Sequence, residues 1–155
     1  HKGLEFKIKS AFLVSAPKDR KFFSVSSPTG WINKGVSDMS QIISSSGTLM
    51  YQALNSDKVA HGSTYEADCS LYCYPNPLTS GMTPTYLVVE ATLGNALYYY
   101  PVDLPPMEAN KCYNVSLTVC RPGSSSPDVP VEKRDVLFDV QVKPWDGNVT
   151  VNEII

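Results

Sequence analysis

Residues 110–120 read NKCYNVSLTVC and residues 136–144 read VLFDVQVKP, with the loop RPGSSSPDVP at 121–130 after the first run. In the first run Tyr113, Val115, Leu117 and Val119 alternate with Cys112, Asn114, Ser116, Thr118 and Cys120. In the second, Val136, Phe138, Val140 and Val142 alternate with Leu137, Asp139, Gln141 and Lys143. Successive side chains of a strand point to opposite faces, so period two sets an apolar core face against a wetter one. WDGN follows at 145–148, where Asp146-Gly147 is a strong hairpin signal, and VTVNEII closes the chain at 149–155. Strand, polar loop, strand, tight turn and terminal strand describe the edge of an antiparallel β-sandwich. None of these segments carries residues arranged for covalent chemistry, so the stretch points to a surface or assembly protein and not to an enzyme.

The same period extends upstream. Residues 85–93 place Leu87, Val89, Ala91 and Leu93 on one face, Gly94-Asn95 marks a two-residue turn, and residues 96–102 return with Tyr98, Tyr99 and Tyr100. At the other end, Leu4, Phe6, Ile8, Phe12 and Val14 are expected to face one way and Glu5, Lys7 and Lys9 the other. A short strand is expected at 21–25 and a short helix at 36–43. Two further strands are expected at 47–54 and 65–74, the second stopped by the prolines of YPNP at 74–77. About eight short strands separated by turn residues predict an all-β fold. The expected form is an antiparallel β-sandwich, Greek-key or transthyretin-like, with at most one short helix, as a single domain over 1–155.

Composition agrees with one globular domain. A chain of 155 residues buries roughly 70% of its unfolded surface, enough for a core of its own. Charged residues make up 18% and the formal net charge is −2, with a sequence pI near 5.6. No basic footprint for nucleic acid is present. No apolar run reaches the ~18 residues of a membrane span. The chain opens on His1 and not on Met, which reads as a processed mature chain or an excised fragment.

Cys69 and Cys73 are four apart, Cys112 and Cys120 eight apart. On extended strands those separations are roughly 13 Å and 26 Å at ~3.3 Å per residue, while a disulfide needs Cα atoms within about 7 Å. Neither pair closes on itself. Any bridge runs between the two segments, or the thiols stay free. The Cys69/Cys73 spacing is allowed for zinc but the Cys112/Cys120 spacing is too wide for a second tight pair, so no metal site is expected.

Three stretches also carry a family resemblance: YCYPN at 72–76, YLVVEA at 86–91 leading to YYYPV at 98–102, and the string from Asn110 through RPGSSSPD at 121–128 to Val140-x-Val-x-Pro-Trp145. With SAFLVSAPK at 10–18 they follow one order along nearly the whole chain, which resembles the C-terminal domain of fimbrillins. Those are the pilins and tip or anchor proteins of the type V pili of Bacteroides-like bacteria. The resemblance implies a bacterial surface-pilus subunit, exported and held at the outer membrane or in the fibre, with the family's N-terminal domain and lipoprotein leader absent from this chain. It also implies other pilus subunits as partners, with a host-surface protein or glycan beyond them. Terminal strands assemble that family's subunits, and Val149, Val151 and Ile155 supply the alternation here, interrupted by Glu153.

Candidate chemistry is sparse. No catalytic residue, cofactor site or metal site is expected. His61, beside Gly62 and Ser63, reads as a loop residue, and no Gly-x-Ser-x-Gly elbow accompanies it. Asp139 and Glu153 read as solvent-facing and not as a paired acid and base. Tyr98–Tyr100 with Tyr72, Tyr74 and Trp31 could form a sugar-stacking platform, making a carbohydrate-binding module of a surface lipoprotein the alternative. The bland reading of those rings is core and flank packing.

Overall fold

A computed structural model describes residues 4–19, 28–79, 81–127 and 136–144, and of residues 136–138 and 144 the backbone alone. In chain order the elements are β1 (Phe6–Val14), β2 (Ala16–Pro17), β3 (Trp31–Ile32), α1 (Met39–Met50), β4 (Tyr51–Ala53), β5 (Tyr86–Leu93), β6 (Ala96–Asp103), β7 (Lys111–Val119) and β8 (Val136–Pro144). Four strands form an antiparallel sheet in the order β4-β1-β5-β6, β7 pairs with β8, and β2 pairs with β3. The fold is an all-β antiparallel sandwich with one helix.

Strand β1 sits inside the large sheet, between β4 and β5, and is buried continuously from Ser10 to Val14. A strand covered on both faces reads as an unbroken apolar run, which is why Ala11, Phe12, Leu13 and Val14 show no alternation. The single-face expectation for Leu4, Phe6, Ile8, Phe12 and Val14 is corrected here. A β-bulge between Ile8 and Ser10 inserts Lys9 and shifts the register, and one extra residue sends every later side chain to the opposite face. Phe6 therefore packs with Ala91 and Tyr100 under the β7–β8 hairpin. Phe12 and Val14 pack with Ile42, Val88 and Tyr99 beneath α1. Leu4 lies before the strand and is exposed.

The helix is longer than the sequence suggests and begins later, at Met39 and not Val36. Asp38 caps it, accepting hydrogen bonds from Ser40 N (2.8 Å) and Ser40 Oγ (2.6 Å), and these bonds hold the Asp38 carboxyl below its usual range. Ile42, Ser46 and Met50 recur every four residues as its buried stripe. Gly47, at φ 58° and ψ −163°, kinks it. The strand expected at 47–54 is thereby reduced to β4, because residues 47–50 belong to the helix. The strand expected at 65–74 does not form at all. That segment is irregular, and the one expected at 21–25 lies outside the described residues.

Strand β7 matches its sequence pattern. In β7 the inward residues Tyr113, Val115, Leu117 and Val119 are half-buried and the intervening ones exposed or nearly so. Val115 and Val140 pack against Leu13, Ala16, Met50 and Leu104. Gly94 takes the positive φ of 62° required at its turn, and its N–H donates to Glu5 O at 2.7 Å.

Candidate functional site

The features of functional interest are the sheet edges and what guards them. Edge strands expose rows of unpaired N–H and C=O groups that invite another chain. At one edge of the large sheet, β4 is only three residues long. Gln52 on it donates to Asp68 O (2.8 Å) and accepts from Ser70 N (3.1 Å), and Tyr72 N donates to Leu49 O at 2.7 Å. The segment after residue 67 is thus laid beside this edge. At the other edge, β6 contains Pro101, and Tyr99 exchanges two backbone hydrogen bonds with Ser124 (2.9 and 2.8 Å). The loop at 121–127 is therefore pinned to β6, and Gly123 lies against the Tyr100 ring. In contrast, among the described residues β7 has a backbone partner on one side only, and that partner is β8.

The four cysteines are free thiols. Cys73 points inward, packs with the Leu13 cluster and lies 3.8 Å from Met107 Sδ. Burial pushes its thiol up to about 11, and burial raises Cys69 as well. Cys112 and Cys120 are exposed, on the outer face of the hairpin with Asn114, Ser116 and Thr118. The strand geometry assumed for Cys69 and Cys73 does not hold, since their segment is irregular. It does hold for Cys112 and Cys120 across β7.

The structure divides the aromatic residues sharply. Tyr100 is fully buried and Tyr99 nearly so, with Tyr100 edge-on to Phe6 at 6.1 Å between ring centroids. Burial pushes the Tyr100 hydroxyl up to about 12, against a smaller opposing effect from the Gly123 backbone. Neither ring is available to a sugar, which corrects their inclusion in a stacking platform. Tyr72 and Tyr74 are exposed (46% and 47%), two residues apart, while the intervening Cys73 turns inward. Tyr65 is also exposed and lines a shallow open depression of about 580 Å³ with Asn55, Asp57, Ser63 and Thr64.

Two buried asparagines, not singled out by their sequence context, fix irregular backbone, Asn76 in this region and Asn33 between β1 and α1. Asn76 exchanges backbone bonds with Met107 (2.8 and 2.7 Å), and its side chain donates to Thr83 O (2.7 Å) and Thr85 Oγ1 (3.0 Å). Thr85 Oγ1 in turn donates to Ser15 O at 2.9 Å. Asn33, at a left-handed φ of 60°, donates to Leu13 O (2.7 Å) and bonds Ser46. Proline on both sides of Asn76 signals a restricted, extended backbone there, but not the inward direction of its side chain.

His61 is exposed in a turn. Asp139 is half-buried rather than solvent-facing, and its Oδ1 has no hydrogen-bond partner. Among the described residues no three of His, Cys, Asp and Glu cluster as metal ligands, and no helix is long and apolar enough to cross a membrane. The expected assembly residues Val149, Val151 and Ile155, with Glu153, Trp145 and the Asp146-Gly147 turn, lie outside the described residues. No family model, curated protein or solved structure matches the chain.

Proposed function

We propose that this chain is a non-enzymatic, exported surface subunit of the fimbrillin type, working by strand-mediated assembly with other subunits of a bacterial pilus. The observation that carries the reading is uneven cover over the large sheet. Its α1 side is closed by Ile42 and Met39 over Phe12, Val14 and Val88. Its other side is four strands wide, about 19 Å at ~4.8 Å per strand, and among the described residues the two-stranded β7–β8 hairpin covers it only in part, beside Ile32, Leu71, Cys73 and Met107. Leu87, Val89 and Leu93 on that side stay half-buried. An alternating strand beside β8, from the chain's own terminus or a neighbour's, would add cover, with its apolar residues inward and its backbone on the sheet edge. Residues 149–155 have that alternation in sequence.

The test is Val151→Asp expressed in the native host, with export and folding checked and sheared surface fibres examined. A charge placed among apolar side chains without a partner opposes burial, so incorporation should be lost. Normal incorporation overturns terminal-strand assembly. A second reading, carbohydrate binding, is favoured by the outward pair Tyr72 and Tyr74 on their pinned segment. Loss of glycan-array binding in Tyr72→Ala and Tyr74→Ala, with assembly intact, would select it.

A further inference from the structure

Both edges of the large sheet are guarded, whereas among the described residues the outer edge of β7 has no backbone partner. The β4 edge is short and covered by the Gln52 clasp, and the β6 edge is held by Ser124 and interrupted by Pro101. Between Cys112 and Val119, β7 carries no charged residue, no proline and no recorded register shift, which are the devices that discourage edge pairing.

Its pairing with β8 fixes which backbone groups face outward. Lys111 lies opposite Pro144, which has no N–H, so that pair cannot be a hydrogen-bonded one. In an antiparallel ladder the two kinds of pair alternate. Cys112, Asn114, Ser116 and Thr118 therefore bond to β8, and Tyr113, Val115, Leu117 and Val119 present their N–H and C=O groups at the open edge.

The sequence along that edge is self-complementary about Ser116. Laid antiparallel on a second copy with Ser116 opposite itself, Val115 meets Leu117, Tyr113 meets Val119, Asn114 meets Thr118 and Cys112 meets Cys120. Apolar residues meet apolar ones on the inner face, and small polar residues meet each other on the outer face. Both exposed thiols find a partner. The cysteine pair falls at a non-hydrogen-bonded position, where Cα atoms are about 4.5 Å apart, inside the ~4.4–6.8 Å span of a disulfide.

We propose that β7 is a twofold interface for a second copy of this chain, joined edge to edge into a continuous β8-β7-β7-β8 sheet and locked by two Cys112–Cys120 disulfides between the copies. The pairing is isologous and closes at two subunits, unlike head-to-tail terminal-strand assembly, and it uses the opposite edge of the hairpin. The bond forms by thiol–disulfide exchange with a small-molecule disulfide such as oxidised glutathione. The Cys112 thiolate attacks one glutathione sulfur, expelling a glutathione thiolate and leaving a mixed disulfide. The Cys120 thiolate of the second copy then attacks the Cys112 sulfur and expels the second glutathione. Two cysteine thiols and one oxidised glutathione give one interchain disulfide and two reduced glutathiones. Two electrons pass from the cysteines to glutathione, and the cysteine protons end on the released thiols.

The experiment incubates the full chain in a glutathione redox buffer and resolves it on non-reducing gels. Chymotrypsin cutting between the cysteines at Tyr113 and Leu117 then allows the links to be mapped. The expected product is a covalent dimer with Cys112 joined to Cys120. Cys112→Ser alone and Cys120→Ser alone should each give no Cys120–Cys120 or Cys112–Cys112 dimer. An equimolar mixture of the two variants should give a singly bridged dimer. Ser116→Lys, exposed and facing its own copy across the axis, should cut the dimer yield at least tenfold while leaving the thermal unfolding midpoint unchanged. Dimers formed by either single variant on its own would overturn the proposed axis. Wild-type protein that stays monomeric, or that links through Cys69 or Cys73, would overturn the interface.

Discussion

Gly123 has no freedom to be anything else. A Cβ built there would stand 2.4 Å from Tyr99 O and 2.9 Å from the Tyr100 ring, and neither the strand backbone nor a fully buried ring can retreat. Gly123→Ala should destabilise the fold by about 1–3 kcal/mol, the usual range for overpacking, as read from the urea midpoint. Cys73 gives a second expectation. Its thiol is raised by burial from 9.0 to about 11, so the folded state favours the protonated form. That contribution is fully present below pH 9.0 and is lost as pH rises through about 11. The urea midpoint of the wild type should fall across that window, and the fall should be smaller in Cys73→Ala. The burial of Cys73 and the tight fit of Gly123 do not show in the sequence. Gly123 reads there as part of a loose RPGSSSP loop, and only the pairing of Ser124 with Tyr99 reveals how close the backbone comes.

Among the elements, those whose two faces differ were legible and those with two similar faces were not. β7 alternates because one side meets the core and the other is wetter, so period two shows directly. β1 is covered on both sides and contains a bulge at Lys9, and a local pattern cannot register either condition. The helix was half hidden by Ser44, Ser45, Ser46 and Gly47, poor helix formers held by packing on the sheet rather than by propensity. Among the candidate site residues, the exposure of Cys112 and Cys120 followed from strand parity. The inward turn of Cys73 depends on the Asn76 and Gln52 anchors and could not be read. Those anchors make the segment from 68 to 79 an element without regular structure. Asn76→Ala would leave buried groups unsatisfied, costing on the order of 1–3 kcal/mol. Hydrogen exchange in residues 71–78 should accelerate more than in β5. Equal acceleration in both would mean that Asn76 serves the whole core and not this segment.

At the scale of the whole molecule, α1, the large sheet and the hairpin share their apolar contacts through β1, with Phe12 on one side and Leu13 on the other. Phe12→Ala empties the centre of the helix-facing layer and should cost about 3–5 kcal/mol. Helix and sheet signals should still unfold in one transition, measured by circular dichroism at two wavelengths, because no layer keeps a core without β1. Separate transitions would show the helix to be an independent unit. The central position of β1 also sets the order of events in time. Ser10 bonds Glu90, 80 positions further along the chain, so the first strand made is completed only when β5 arrives. Such long loop closure slows folding. Until then the β5-facing edge of β1 has no partner strand, a condition that favours aggregation. The newly made chain therefore has a built-in waiting period, during which a holding chaperone would find its binding site in the residues destined for the middle of the sheet.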